Sequence, residues 1–183
     1  MFKNNKKTLL LHSCCAPCST TAIERLKDSY EIALYYYNPN IMPAAEYEKR
    51  LAEQRRFASI QDLELFTGEY ETDIFIRDTK GLEDEREGGE RCRRCIALRL
   101  NKTAQAAISK GFESIATTLS VSPHKNTALI NTILSEIGRC YTLNPLLEDF
   151  KKKDGFKKSL ELSKKYGLYR QSYCGCVFSR LKK

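Results

Sequence analysis

Two adjacent thiols close an apolar run near the start of the chain: Leu9-Leu10-Leu11-His12-Ser13-Cys14-Cys15-Ala16-Pro17-Cys18. Neighbouring cysteines serve a structural purpose poorly. Their Cα atoms are too close for a relaxed disulfide, and adjacent side chains leave a strand or helix in different directions. Cys92-Arg93-Arg94-Cys95 and Cys174-Gly175-Cys176 lie far downstream, so seven of the eight cysteines fall in three clusters. Such clustering points to thiolate ligation of a metal or to thiol redox chemistry. Four thiolates from Cys14, Cys15, Cys92 and Cys95 could complete an all-cysteine site. Only His12 and His124 are histidines, which excludes a histidine-rich centre. Soft thiolate ligands select zinc or an iron–sulfur cluster. Adjacent cysteines favour the cluster over the spaced knuckles of a zinc staple, which is the simpler alternative. Cys174-Gly175-Cys176 could close a small, reducible ring and relay electrons; a second metal-binding knuckle fits the same spacing. Cys18 reads as a fifth ligand or a small buried hydrophobe, and isolated Cys140 as core.

Other residues carry weaker chemistry. Asp149 precedes the run Lys151-Lys152-Lys153 and reads as a proton donor, a metal ligand or an ordinary surface charge. His12 is expected to be a satisfied, hydrogen-bonded residue. Tyr35, Tyr36 and Tyr37 alternate across an extended segment, so at least one is expected in the core while another could stack on a base. His124 and Lys125 could contact phosphate.

The chain has 183 residues, 42% hydrophobic and 30% charged. That length suggests one α/β domain spanning 1–183, with 150–183 as a basic C-terminal segment. No apolar stretch is long enough for a membrane span, and the run after the basic start is too short for a signal peptide. A cytoplasmic location follows as the expectation, where eight thiols favour metal or redox chemistry over disulfides. The net charge is +8. From Lys151 onward there are 11 basic and 2 acidic residues, so the basicity belongs to this segment. A basic segment beside a redox site suits a polyanion such as RNA.

These clusters need a scaffold. Apolar, β-branched and aromatic runs predict strands at 7–12, 32–37, 64–67 and 114–119, with a weaker fifth at 141–143. Helical patterns occupy 20–27, 46–60, 92–109, 126–137 and 157–166. The stretch 13–19 reads as a turn, and 72–81 as extended or a short helix. Strands alternating with helices imply a mostly parallel sheet covered on both faces. If the first and fourth strands are neighbours, the Cys14 loop and the Ser120–Lys125 loop share one crevice at the sheet's carboxyl edge.

Taken in order, the motifs resemble the cobalamin-independent epoxyqueuosine reductases (QueH). They are Leu10-Leu11-His12-Ser13-Cys14-Cys15-Ala16-Pro17-Cys18-Ser19, Tyr36-Tyr37-Asn38-Pro39-Asn40-Ile41, and Glu46-Tyr47 with Arg50. Glu90-Arg91-Cys92-Arg93-Arg94-Cys95, Leu98-Arg99-Leu100, Thr117-Thr118-Leu119-Ser120 and Ser122-Pro123-His124-Lys125 follow. Asp149-Phe150-Lys151-Lys152 and Gly167-Leu168-Tyr169-Arg170-Gln171-Ser172-Tyr173-Cys174-Gly175-Cys176 complete the set. The resemblance implies reduction of epoxyqueuosine to queuosine at the wobble position of tRNA. It implies a [4Fe–4S] cluster on Cys14, Cys15, Cys92 and Cys95, a redox-active pair at Cys174 and Cys176, and room for an additional iron ion. The implied partners are the anticodon loop of tRNA and an unidentified electron donor. The implied fold is similar to the adenine-nucleotide α-hydrolase (HUP) group, with the cysteine motif replacing the phosphate loop after the first strand. Two readings compete: an iron–sulfur disulfide or heterodisulfide-type reductase, and a non-enzymatic zinc-stapled RNA-binding module. A tRNA sulfurtransferase would need a nucleotide-activating phosphate loop, which is missing from this sequence.

Overall fold

The central strand is β1 (Lys7–His12), and every residue after Lys7 is buried. The computed structural model describes residues 6–180. β1 pairs in parallel with β2 (Tyr30–Tyr36) on one side and β4 (Ser114–Thr117) on the other. β3 (Leu65–Thr67) and β5 (Asn144–Pro145) extend the edges, giving the all-parallel order β3-β2-β1-β4-β5. Strand alternation divides the core. Leu10, Ala33, Tyr35 and Ile115 face α4 (Glu90–Lys110) and α5 (Thr127–Tyr141). Leu9, Leu11, Ile32, Leu34 and Ala116 face the layer containing α1 (Ala16–Leu26), α2 (Ala44–Ile60) and Phe150. This continuous burial is what a two-faced parallel sheet demands.

The expected α/β fold is present, with shifts at element ends. α1 starts at Ala16, not Thr20: Pro17 is favourable in a first helical turn, and Cys15 is the extended cap residue. Cys18 therefore lies on the helix. The stretch after Tyr70 contains the short helix α3 (Thr72–Asp78). β4 ends at Thr117 and passes into a 3-10 turn, Thr118–Val121. α5 runs on through Tyr141, which moves the fifth strand to Asn144–Pro145 and leaves Cys140 exposed, not in the core as expected. α6 (Gly155–Lys165) packs against α1, and α7 (Val177–Arg180) follows the last cysteines.

Because β1 and β4 are neighbours, their following loops share the crevice where the strand order reverses. The Cys14 backbone N–H donates to Thr118 Oγ1 at 3.2 Å, joining the two loops directly. Among the described residues, no helix is long and apolar enough to cross a membrane.

Candidate functional site

The first helical turn of α1 curls Cys18 back toward Cys14 and Cys15, and the three sulfurs lie within 4.8 Å of one another. Cys14 and Cys15 Sγ are 3.8 Å apart. Thr118 Oγ1 donates to Cys14 Sγ at 3.4 Å, and Gln171 Nε2 donates to Cys15 Sγ at 3.0 Å. Hydrogen bonds from Cys15 and then Cys18 hold the Cys14 thiol well below its ordinary pKa, aided by Arg99 and Thr118 against burial. The same bonds push the other two thiols up. A helix N-terminus pointing at this group further favours one thiolate there.

Below the loop, His12 is fully buried. Its Nε2 faces the Tyr37 carbonyl at 3.3 Å and so carries the proton; Nδ1 accepts from Thr117 Oγ1 at 2.9 Å. Burial, reinforced by Arg99, lowers its pKa to about 3. His12 is thus a neutral support, as its sequence context suggested. Tyr35, Tyr36 and Tyr37 are at most 7% exposed, so none of the three is free to stack on a base. Tyr35 and Tyr37 stack on each other, and Tyr37 donates to Glu71.

Cys92 and Cys95 occupy the start of α4. The Gly88 N–H donates to Cys92 Sγ at 3.3 Å. Burial raises the Cys95 thiol to about 12, with Arg99 opposing. Cys95 packs with Phe75 and Cys176. The Cys174–Cys176 segment is tied down from α2: Arg50 donates to the carbonyls of Cys174 at 3.1 Å and Tyr173 at 3.3 Å, while the Met42 N–H donates to Gly175 O at 2.9 Å. Gly175 has φ +107°, a conformation open to glycine and strained for other residues. Both cysteines are free thiols, Cys176 buried and Cys174 half-buried. Lys125 Nζ donates to Cys174 Sγ at 3.3 Å and to Glu87 at the same distance. Burial pulls the Lys125 pKa down, but the charges of Cys174, Cys92 and Glu87 outweigh it and hold the ammonium above its ordinary value.

These parts surround two adjoining hollows. A cavity of about 500 Å³ is lined by Cys14, Cys18, Cys174, Gln171, Arg50 and Phe156 among others. Behind it, a hollow of about 20 Å³ is lined by Cys92, Cys95, Cys174 and Cys176. Arg99, Lys125 and Cys174 line both. Seven cysteines from three distant segments therefore meet at one place. The tightest sulfur group is Cys14, Cys15 and Cys18, a triad that could hold a metal ion. The sequence left Cys18 open, although its spacing of three from Cys15 and four from Cys14 is the signal of a shared helical turn. Asp149 is not among the residues lining either hollow. It lines a separate depression with Arg25 and Thr127. Arg99, Gln171 and Arg50 are site residues that residue-level reading missed.

The family model described as "Epoxyqueuosine reductase QueH" matches residues 9–182. The chain belongs to this family. Curated QueH members include one from Streptococcus pyogenes serotype M1, 40% identical over 180 residues that span 95% of this chain and 71% of that protein. Another, from Thermotoga maritima, is 40% identical over 179 residues covering 96% of this chain and 92% of that protein. Among solved structures, the U34-tRNA thiolase NcsA from Methanococcus maripaludis with its [4Fe-4S] cluster superposes with a TM-score of 0.60 at 11% identity. It covers 96% of this chain and 62% of that one, and likeness at this identity shows the fold alone. The QueH family is one of oxidoreductases acting in tRNA modification, so the thiol-lined cavity is its candidate redox centre.

Proposed function

We propose that this protein is an epoxyqueuosine reductase that removes the epoxide oxygen from epoxyqueuosine at the wobble position of tRNA. The observation that carries this reading is the convergence of seven cysteines, with buried Arg99 and partly buried Lys125, around two adjoining hollows in a QueH-family chain. The donor set fits an iron–sulfur cluster: soft sulfurs only, three of them within 4.8 Å, with Cys92 and Cys95 across the rear hollow. Cys14, Cys15, Cys92 and Cys95 would hold it, with Cys18 a further donor beside them. Such a cluster, when bound, supplies electrons and a Lewis-acidic iron.

The chain's own residues do the rest. Converting an epoxide to an alkene and water consumes two electrons and two protons. Oxidation of the Cys174 and Cys176 thiols to a disulfide releases that number of each, so the pair balances one turnover. An external electron donor must then restore the dithiol. Lys125 fixes Cys174 at the cavity wall. Gln171 donates to Cys15 and orients it. With Asp149 lining neither hollow, the dithiol is the proton source in this scheme. A flipped-out wobble base would enter past Phe156 and Arg170, which line the cavity. Exposed Lys152, Lys153, Lys157 and Lys164 lie on the same C-terminal segment and would hold the anticodon-loop phosphates. The substrate and the reduced thiols both suit the cytoplasm.

The test is anaerobic purification with iron, sulfide and zinc analysis, followed by turnover on epoxyqueuosine tRNA, for wild type, Cys92→Ala and Cys174→Ser. Iron and sulfide in the wild type, their loss in Cys92→Ala, and a loaded but inactive Cys174→Ser are expected. Colourless zinc protein that binds tRNA after attempted cluster reconstitution would refute the reductase.

A further inference from the structure

Arg99 is the charge least explained by packing. It follows Cys92 by seven residues and Cys95 by four on α4, so the three side chains share one helix face. It is 3% exposed. Its Nη2 donates to Asn38 Oδ1 at 2.5 Å, and its Nε has no partner. Among the described residues, no carboxylate forms an ion pair with it. It sits instead among the thiols of Cys95, Cys14 and Cys174, one from each cysteine segment, and lines both hollows beside them. A buried cation with no counter-charge costs several kcal/mol, so this position requires negative charge facing it. Thiolates are the groups on hand. The guanidinium is also held in place: Asn38 Nδ2 donates to Ser13 O at 3.0 Å, linking Arg99 to the loop that carries Cys14. Of the other cations lining the cavity, Lys125 is paired with Glu87 and Arg50 with Glu46. Buried Arg91 reaches only the rear hollow and spends its guanidinium on the Leu82 and Glu83 carbonyls, whereas Arg99 lines both hollows and, among the described residues, pairs with no carboxylate.

We infer that Arg99 is the permanent counter-ion of the metal–thiolate centre and raises its reduction potential. One-electron reduction adds one negative charge to a centre already ringed by thiolates. A fixed cation stabilises the reduced form more than the oxidised one. Arginine suits the task because it stays protonated in any protein environment, and the hydrogen bond to Asn38 prevents it from swinging away. Arg99 acts through the centre and is a positioning residue, not a catalytic one. The inference rests on the iron–sulfur reading of the cavity.

The experiment is a redox titration followed by electron paramagnetic resonance on anaerobically reconstituted wild type, Arg99→Gln, Arg99→Lys and Asn38→Asp. Arg99→Gln removes the charge while keeping an amide donor toward Asn38. Asn38→Asp reaches the same end by pairing the guanidinium with a carboxylate, and it keeps the test alive if Arg99→Gln does not fold. Both are expected to lower the midpoint by at least a tenfold change in the equilibrium, which is 59 mV for one electron. Arg99→Lys is expected to stay closer to wild type than either. A loaded wild type whose potential neither neutralising variant moves would overturn this inference alone. A wild type that takes up no iron or sulfide would overturn the iron–sulfur reading and this inference with it.

Discussion

Replacing Gly175 by alanine tests how tightly the Cys174–Cys176 segment is built. An alanine at φ +107° is conformationally strained, and its Cβ would lie 2.8 Å from Ile41 Cγ1 and 3.0 Å from Arg50 Nη1. The backbone strain costs about 1–2 kcal/mol. Forcing a methyl into a filled space costs about 1–3 kcal/mol more. The expected loss is therefore about 2–5 kcal/mol, or roughly 4–20 °C in Tm for a chain of this size. Gly81 separates the two contributions. Its φ is +81° but nothing lies within 4 Å of an added Cβ, so Gly81→Ala should cost the strain alone. The assay is urea unfolding of both variants and wild type under reducing conditions, with the slope checked for constancy. The disturbed Arg50 also holds the Cys174 carbonyl, so alkylation of Cys174 should quicken in Gly175→Ala only. Equal losses in the two variants, with unchanged alkylation, would refute the claim that this segment is packed against α2.

Arg50→Met leaves the half-buried Glu46 carboxylate with Tyr169 but without its 2.7 Å ion-pair partner, and frees the Tyr173 and Cys174 carbonyls; a loss of about 1–3 kcal/mol is expected by thermal unfolding. The Glu71 carboxyl is held below its ordinary pKa by Lys102, with Tyr37 adding and partial burial opposing. Its contribution is complete above the unfolded carboxylate pKa and is lost as pH falls through the lowered folded value, so Glu71→Gln should flatten that acid limb in a stability–pH profile. Cys140→Ser should change stability by no more than about 0.5 kcal/mol and leave iron content untouched, since the thiol is exposed. Changing Lys152, Lys153 and Lys157 together to alanine should reduce the salt slope of tRNA binding by about 0.7–0.9 per lost phosphate contact. An unchanged slope would move the docking face elsewhere.

The sheet was legible because its strands are buried on both faces, and unbroken apolar runs such as 9–11 and 32–37 suit little besides a strand covered from both sides. Ends were less so. The first cysteine motif reads as a loop by composition, yet Pro17 allows a helix to start inside it, and that shift is what brings Cys18 to its neighbours. β5 is two residues long, too short for any periodicity to register. Cys140 was misplaced because a lone thiol carries no pattern, and α5 continued one turn further than its apolar spacing suggested. The cysteines announced themselves by clustering, but Arg99 and Gln171 did not. Arginine and glutamine are ordinarily surface residues, and only the folded chain reveals that these two face sulfur. Asp149 was singled out by its place before the lysine run, and no local rule specifies that it would line a separate depression.

The cavity wall comes from opposite ends of the chain: Gln171 reaches back 156 positions to Cys15, and Arg50 reaches forward 124 to Cys174. Contacts of such separation close late, after the nearby β1, β2 and α2 have found one another. During synthesis at about 5–20 residues per second, roughly 8–30 s pass between the appearance of Cys15 and that of Gln171. For that interval Cys14, Cys15 and Cys18 stand at an open sheet edge with no roof over them. The nascent protein thus presents its most oxidisable atoms before it can shelter them, and whatever fills the site has an open door until the last cysteines arrive to shut it.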